Sequence, residues 1–369
     1  MAHQKNILIS GARAPIALEL ARSFKKQGYR VIMIDTLQLP LSRFSKAVDA
    51  YFKMPSPRFQ PKKFVSFVQR LIEREQISNF LPTCEEVFYI SMFKEHFNCK
   101  VWTSPIDLMA QLHNKYRFST EFSTLLKTPK TIKMSDFEDW QHSMDYVFKP
   151  IYSRFGATII KNKMPEKAFF QGKEDHWVAQ QFISGDELCI YSVWDAGKLK
   201  AYSSYQPTVR VNNGAGIFFQ PIEDKFVFKA VSKFGKAVNF TGQLSFDVII
   251  DETGEPYFIE CNPRATSGGH LINDRLSLAF EENEAIQFQD HQAKQISTMM
   301  LFTNPLNYLK KGLSRTNDIL YNKTDIAPFL MQGFGLGEFF QLSARKKLSL
   351  LAASTYDIEW NGELLSEEG

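Results

Sequence analysis

The sequence lacks the cysteine patterns that indicate a disulfide framework or a structural zinc site. Its four cysteines form no CxxC pair and show no zinc-finger spacing with histidine. Free thiols in a reducing compartment are the simplest interpretation of such a pattern. We therefore expect a cytoplasmic protein.

Long hydrophobic runs are also absent. The apolar run Ile7–Ser10 is short and is followed by Gly11, which is typical of a buried strand and not of a secretory leader. No stretch reaches the length of a transmembrane helix. The apolar segment Phe329–Phe340 is interrupted by three glycines, and packing on the main body or a dimer contact is expected for it. The sequence therefore predicts no membrane partner, and a homodimer is a reasonable expectation.

An excess of charge of one sign is missing as well. Lysine and arginine number 44 against 40 aspartates and glutamates, an excess too small to indicate nucleic-acid binding. The 369 residues are 44% hydrophobic and 23% charged, which is ordinary for globular proteins. The length predicts two or three domains. The charge balance predicts no nucleic-acid partner.

The first third of the sequence alternates between strand and helix patterns, which indicates a parallel sheet as far as about residue 110. Apolar spacing and turn residues place the elements. The predicted strands are Asn6–Ser10, Arg30–Asp35 and Asn79–Thr83, and the predicted helices are Pro15–Gln27, Lys62–Arg74 and Glu85–His96.

The middle of the sequence has strands joined by short turns, which favours antiparallel pairing. A helix is predicted at Lys225–Val238, and the tail from about Glu281 is mostly helical. The fold class is therefore α/β followed by α+β. The predicted strands are Tyr146–Pro150, Ala157–Lys161, Trp177–Ile183, Asp186–Trp194, Lys198–Tyr205, Gln243–Asp251 and Glu255–Asn262.

The last two of these strands form a hairpin within the segment GQLSFDVIIDETGEPYFIECNPR. If Asp251 pairs with Pro256, then Asp247 lies opposite Glu260, and Asn262 shares a face with Glu260. Opposed carboxylates repel, and a divalent cation such as Mg²⁺ removes that cost. The alternative is a solvent-exposed hairpin with ordinary charges. The Arg264 that follows favours a site, since arginine recognises phosphate and carboxylate groups.

The hairpin sequence FDVIIDETGEPYFIECNPR resembles the ATP-grasp signature. It is most similar to the branch that contains carbamoyl phosphate synthase, biotin carboxylase and amino-acid ligases. The resemblance implies that Asp247, Glu260 and Asn262 bind Mg²⁺, with Mn²⁺ as an alternative, and that Arg264 faces the transferred phosphate. It also implies three domains: a Rossmann-like pre-ATP-grasp domain (1–110), a two-lobed ATP-grasp domain (111–280, lid about 130–185) and a C-terminal extension (281–369).

Two lysines occur where the resemblance implies contacts with ATP phosphates. Lys115 stands in HNKYRF and Lys149 in YVFKP. The alternative for each is an ordinary surface lysine, although a lysine that ends an apolar strand favours function. The following IYSRFGAT holds only Gly156 where many relatives have a glycine-rich loop. Ser153 and Arg154 are alternative donors there, unless the segment is a simple strand connection.

The segment WVAQQFISGDEL resembles the hinge strand of the family. This implies that adenine meets backbone groups at Gln181, Phe182 and Ile183, with Gln180 nearby, and that Glu187 accepts hydrogen bonds from the ribose. Two alternatives stay open: Gln180 as a satisfied core polar group and Glu187 as an exposed strand carboxylate.

The resemblance implies an ATP-dependent ligase that activates a carboxylate as an acyl phosphate. Lys149 and Arg264 stabilise the transferred phosphate in this scheme. Arg210, close to two glycines, is the candidate for gripping the substrate carboxylate, with a surface ion pair as its alternative. An amine is the expected nucleophile, with thiol or hydroxyl less favoured. The expected partners are thus small-molecule carboxylate and amine substrates.

Two other functions fit parts of the sequence. A nicotinamide-dependent oxidoreductase is favoured by Gly11 and by Asp35 at the end of a strand, but SGARAPIA carries one glycine and not the GxGxxG set. A non-catalytic nucleotide-binding protein is the second. His113 and His270 offer no clear catalytic base, and a structural role is expected for each.

Overall fold

A computed structural model describes residues 5–154, 159–161, 163, 165–211, 214, 216–281, 290–311 and 318–363. The N-terminal part is a five-stranded parallel sheet with the strand order β3-β2-β1-β4-β5. Its strands are β1 (Asn6–Ser10), β2 (Arg30–Asp35), β3 (Ala50–Lys53), β4 (Asn79–Leu81) and β5 (Lys100–Val101).

Helices cover both faces of this sheet, and that is why its strands are apolar at successive positions. One face of β1 packs on helix α1 (Pro15–Lys26) and the other on α2 (Pro61–Glu75). Each helix starts with proline, whose fixed φ suits the first turn. The predicted parallel sheet is confirmed.

A six-stranded antiparallel sheet follows, with the order β13-β12-β9-β10-β11-β14. One face packs on the helix α7 (Lys225–Ala237), and the other contributes to the core shared with α1. The strands are β9 (Gly185–Asp195), β10 (Lys198–Arg210), β11 (Gly216–Pro221), β12 (Gly242–Asp251), β13 (Pro256–Asn262) and β14 (Lys294–Gln295).

A smaller antiparallel sheet, in the order β6-β8-β7, has its own aromatic core. Its strands are β6 (Thr131–Lys133), β7 (Tyr146–Pro150) and β8 (Trp177–Gln181). Of the strand predicted at Ala157–Lys161, residues 157 and 158 lie outside the described residues, and Ile160 bridges to Phe148.

The remaining helices connect these sheets and form much of the tail. The helix predicted at Glu85–His96 is shorter, because it begins at Val87 and turns into a 3₁₀ helix after Met92. The α-helices are α3 (Val87–Met92), α4 (Ile106–His113), α5 (Lys115–Glu121), α6 (Lys167–Phe170), α8 (Ser297–Thr303), α9 (Pro305–Lys311), α10 (Ala327–Lys346) and α11 (Leu350–Ala353). The 3₁₀ helices are Leu41–Phe44, Lys94–His96, Met134–Asp136, Trp140–Asp145, Glu174–His176, Ser267–Leu271 and Asn273–Phe280.

The end of the described chain, residues 354–363, returns to the N-terminal sheet and packs against the loop after β7. Trp360 is buried and stacks on Phe88 with ring centroids 5.0 Å apart. The Tyr89 hydroxyl donates to the carbonyl of Glu359 at 2.9 Å. We call residues 354–363 the C-terminal strap. Across the described ranges, no helix combines the length and apolarity needed to cross a membrane.

Candidate nucleotide and metal site

The β12–β13 hairpin brings two carboxylates face to face. Asp247 pairs with Glu260 as predicted, but the expected pairing of Asp251 with Pro256 is wrong, because Pro256 pairs with Ile250. A β-bulge restores the register, since Ile259 is an extra residue between two paired positions on β13. Bulges of this kind are frequent beside active sites, where they redirect backbone and side-chain groups.

Negative charge accumulates on this face of the sheet. Ligand atoms of Glu187, Cys189 and Asp247 lie within 4.8 Å of one another, and Asp247 opposes Glu260 across the ladder. Burial raises the pKa of Asp247 above its usual range, and the charges of Glu260 and Glu187 raise it further. A cation at this position would relieve the repulsion that makes ionisation costly.

Two buried lysines point at the same carboxylate region. Lys115 opens α5, and its Nζ lies 3.2 Å from Glu260 Oε2 and 3.3 Å from the Ser153 carbonyl. Lys149, at the end of β7, donates to the carbonyl of Ile259 in the bulge at 3.3 Å. Both side chains are almost completely buried. Burial opposes ionisation of Glu260, but Lys115 and Lys149 hold its pKa below the usual value.

The pKa of Lys149 is lowered, whereas an ion pair alone would raise the pKa of a lysine. Burial first, and then the positive charge of Lys115, lower the Lys149 pKa to about 8 against the opposing effect of Glu260. The two ammonium groups therefore share the nearby charge of Glu260. A polyphosphate would supply further negative charge.

The predicted hinge has one buried and several exposed positions. The Gln180 amide nitrogen lies 3.0 Å from Thr131 Oγ1, 3.3 Å from Ser119 Oγ and 3.4 Å from the Ile259 carbonyl, so this side chain is a satisfied core polar group. Gln181 and Phe182 are exposed, and Ile183 is half-buried. Their placement leaves the outer edge of the hinge open to a ligand.

Glu187 and Arg210, predicted for separate roles, bind each other. An Arg210 Nη2–Glu187 Oε1 ion pair joins β10 to β9, and the guanidinium also donates to the Gly214 carbonyl. Both residues are partly exposed, with 27% of the Arg210 side chain and 33% of the Glu187 side chain accessible. The pair is therefore open to exchange with a bound ligand.

Arg264 is held by a carboxylate that the sequence analysis missed. Its Nε donates to Oε1 of Glu85 at 2.8 Å, and its Nη2 lies 3.4 Å from the Asn262 amide oxygen. Arg154 Nη2 lies 2.7 Å from the other Glu85 oxygen. The signal in the sequence was Glu85 itself, an acidic residue directly after a buried strand and its Pro82 turn. Gly156, on which the loop interpretation depended, lies outside the described residues.

Comparison with known proteins identifies this arrangement. Residues 112–268 match the family model of the ATP-grasp domain. This chain contains an ATP-grasp domain. The predicted recognition is thus confirmed, and the predicted enzyme class, an ATP-dependent ligase that uses ATP and Mg²⁺, agrees with it. A search of curated protein sequences gave no significant match.

Solved ATP-grasp structures share the fold at low sequence identity. An L-amino acid ligase from Bacillus licheniformis is 16% identical, with 76% of this chain and 74% of that chain covered and a TM-score of 0.58. N5-carboxyaminoimidazole synthetase from Staphylococcus aureus is 12% identical, with 82% of this chain and 86% of that chain covered and a TM-score of 0.59. A biotin carboxylase from Campylobacter jejuni is 15% identical, with 78% of this chain and 72% of that chain covered and a TM-score of 0.59. The predicted fold class is confirmed.

The ATP-grasp residues fit a hard divalent cation. Asp247 and Glu260 offer carboxylate oxygens, and Asn262 donates its amide nitrogen to Glu260 Oε1 at 3.1 Å, which fixes it beside that carboxylate. Mg²⁺ prefers oxygen ligands of this kind and keeps positions for substrate phosphates. The pKa of Asp247 is raised first by burial and then by its neighbouring carboxylates, and a cation bound beside it would favour its ionised form.

The features that favoured an oxidoreductase are used differently by the ATP-grasp chain. Asp35 is fully buried, and Arg13 binds it through Nη2 at 2.6 Å and Nε at 3.0 Å. Gly11 has φ +78°, and an added Cβ would lie 2.3 Å from Thr83 Oγ1, so the glycine is needed for close packing. Neither residue is free to hold a ribose or a pyrophosphate.

The two histidines lie in structural settings. His113 is buried among aromatic rings, and burial lowers its pKa to about 3. His270 Nδ1 lies 3.2 Å from Glu19 Oε2. Cys261 packs in the core on the face opposite the carboxylates, as its strand position predicted.

Proposed function

We propose that this protein is an ATP-dependent carboxylate–amine ligase that works through an acyl phosphate and releases ADP and phosphate. One observation carries the proposal. Two buried lysines meet at Glu260, directly across the ladder from Asp247: Lys115 contacts its carboxylate, and Lys149 contacts the carbonyl of the preceding Ile259. A site with paired cations and paired carboxylates suits a polyphosphate bound with a divalent metal.

The lysines and Arg264 would stabilise the phosphoryl group during its transfer. An oxygen of the substrate carboxylate attacks the γ-phosphorus, and the bond to ADP breaks. Lys149 and Arg264 supply positive charge where negative charge is redistributed. Mg²⁺, held by Asp247, Glu260 and Asn262, would neutralise charge on the phosphate oxygens.

The second step forms the product bond. The amine nitrogen attacks the carbonyl carbon of the acyl phosphate, phosphate leaves, and the nitrogen loses a proton. The protein contributes by positioning the reactants and excluding water, since hydrolysis of the acyl phosphate would waste ATP. We propose an amine because the fold neighbours include an L-amino acid ligase. Thiol and hydroxyl nucleophiles are less favoured.

Nucleotide and substrate would meet at the Glu187–Arg210 pair. We propose that Glu187 accepts hydrogen bonds from the ribose and that Arg210 grips the substrate carboxylate. Their mutual ion pair supports an exchange of partners on binding, in which each residue gives up the other for a ligand group. Gln181, Phe182 and Ile183 would line the adenine, with Ser153 and Lys115 near the phosphates.

We further propose that the work is divided among three domains. Residues 1–110 and 111–280 would enclose the substrates, with a lid at about 130–185, and residues 281–369 would brace them. The C-terminal strap supports the last assignment because it contacts both the N-terminal sheet and Arg154.

A product assay tests the proposal. Mg-ATP is incubated with amino acids and small carboxylic acids, singly and in pairs, while ADP, phosphate, AMP and pyrophosphate are quantified. The expected result is ADP plus phosphate only with a particular acid and amine. AMP plus pyrophosphate would overturn the acyl-phosphate step, and binding of NADH without binding of Mg-ATP would favour the oxidoreductase instead.

A further inference from the structure

Glu85 occupies a position that neither the metal site nor the lysine pair explains. Its side chain is buried, with 3% accessible, at the junction of the N-terminal sheet, the loop after β7 and the segment after β13. Arg154 and Arg264 approach different oxygens of its carboxylate, at 2.7 Å and 2.8 Å. A single buried carboxylate thus joins three separate parts of the chain.

The three nitrogens of the Arg264 guanidinium have different partners. Nε donates to Glu85, Nη1 donates to the Ala265 carbonyl at 3.3 Å, and Nη2 lies 3.4 Å from the Asn262 amide oxygen. This orientation directs the Nη2 group towards the hairpin that carries Glu260. A guanidinium fixed at Nε cannot rotate away without breaking a charge-assisted hydrogen bond.

Arg154 fixes the other side of Glu85. It donates to the Trp360 carbonyl at 2.5 Å and to the Asn361 side chain at 2.8 Å, both in the C-terminal strap. Arg154 therefore links the Glu85 carboxylate to the C-terminal strap, and the same carboxylate binds Arg264. Nearby His113, with Nε2 3.8 Å from Glu85, completes the surroundings of the carboxylate.

We propose that Glu85 is a positioning residue that aims Arg264 at the terminal phosphate of bound ATP. This inference rests on the proposed function, because it assumes that nucleotide phosphates occupy the lysine and carboxylate site. It assigns to the segment after β4 an indirect part in phosphate recognition, through Arg264. Glu85 itself need not touch the nucleotide.

The test measures the preference for a nucleoside triphosphate over a diphosphate. Titration calorimetry compares Mg-AMPPNP with Mg-ADP for the whole protein, for Arg264→Gln, for Glu85→Gln and for the double variant. Arg264→Gln is expected to reduce the preference about 10-fold, as expected for one charge-assisted contact. Glu85→Gln is expected to match it, and the double variant should lose no more than either single variant.

A second variant and a matched control separate positioning from stability. Glu85→Asp keeps the carboxylate one methylene shorter and is expected to retain an intermediate preference, which keeps the test decisive if Glu85→Gln does not fold. The control is Asp325→Asn, which breaks a buried network with Arg22 and Ser45 distant from the hairpin. It should lower the melting temperature and leave the preference unchanged.

Each outcome distinguishes the two proposals. If the unsubstituted protein binds neither nucleotide, the proposed function fails. If it binds both and Glu85→Gln keeps the full preference while Arg264→Gln loses it, the positioning role is wrong. Additive losses in the double variant would also overturn it, since they would show that the two residues act independently.

Discussion

Two acidic residues on strands, Asp35 at the end of β2 and Asp247 within β12, have opposite surroundings. Asp35 forms a buried ion pair with Arg13, which also pairs with Asp357 of the C-terminal strap at 2.8 Å. Asp247 faces Glu260 and lies beside Glu187, and its pKa is raised by burial and by both of those charges. One carboxylate is fully compensated within the chain and the other is not.

The different surroundings of Asp35 and Asp247 indicate a structural role for the first and a functional role for the second. A buried ion pair whose partners are both satisfied is a structural feature, and removing one partner mainly costs stability. A buried carboxylate whose neighbours are also carboxylates is costly to ionise, and a bound cation would lower that cost. The comparison therefore favours a structural role for Asp35 and a binding role for Asp247.

The largest expected effect comes from Glu260→Gln. Because this change removes a charge that orders both lysines and the proposed metal, turnover should fall by at least about 10³-fold, comparable to the loss of a major electrostatic contact. The rate of ADP release with the identified substrates measures it.

The melting temperature of Glu260→Gln is the control for folding. The variant should stay folded with a lower melting temperature, because Lys115 loses its buried carboxylate partner while the repulsion with Asp247 is relieved. Unchanged turnover in a folded variant would refute the metal-site assignment and remove the distinction between the two regions.

Asp35→Asn should have the opposite profile. It leaves Arg13 buried with only Asp357 as a charged partner, and about 3 kcal/mol of the free energy of unfolding should be lost. Affinity for Mg-AMPPNP should not change, because Asp35 lies outside the hairpin site. Urea unfolding and calorimetry measure the two quantities, and a parallel loss of nucleotide affinity would show that the sheet takes part in binding.

The sequence predicted the local parts of this comparison and missed the long-range ones. Strand alternation gave the faces of β12 and β13, because side-chain direction depends only on position along the strand. The bulge at Ile259 was not predictable in this way, since an extra residue depends on packing between strands. The predicted pairing at the turn was wrong by one residue, and the extra residue in the bulge compensates for that error, so that Asp247 still pairs with Glu260.

Partners distant in sequence were the other gap. Glu85 and Arg264 are 179 residues apart, and Arg13 and Asp357 are 344 apart. Nothing in local composition pairs them, so the strand-end position of Asp35 indicated a ribose site equally well. Arg210 and Glu187 were assigned separate ligands for the same reason, and their ion pair became visible only in the folded sheet.

Lys149→Met should have a smaller effect than loss of Glu260. The methionine keeps the length of the buried chain and removes the charge, so affinity for Mg-AMPPNP should fall about 10-fold, equivalent to one charge-assisted hydrogen bond. Calorimetry measures the change, and Lys127→Met, at an exposed lysine that pairs with Glu255, is the matched control. Equal losses in both variants would mean that the effect is general charge attraction.

The smallest expected effect is a pH dependence of nucleotide affinity. Burial and the nearby charge of Lys115 together lower the Lys149 pKa to about 8. The usual pKa of an unfolded lysine is about 10.4, so the unfolded chain binds more protons between these values. The contribution of Lys149 to stability therefore rises with pH from about 8 to about 10.4 and is constant below that window. A bound polyphosphate favours the protonated lysine, and affinity for Mg-AMPPNP should fall as pH rises above about 8. Because Lys149→Met has no such proton, its affinity should change less over this range, and identical pH profiles for the two proteins would show that another group carries the dependence.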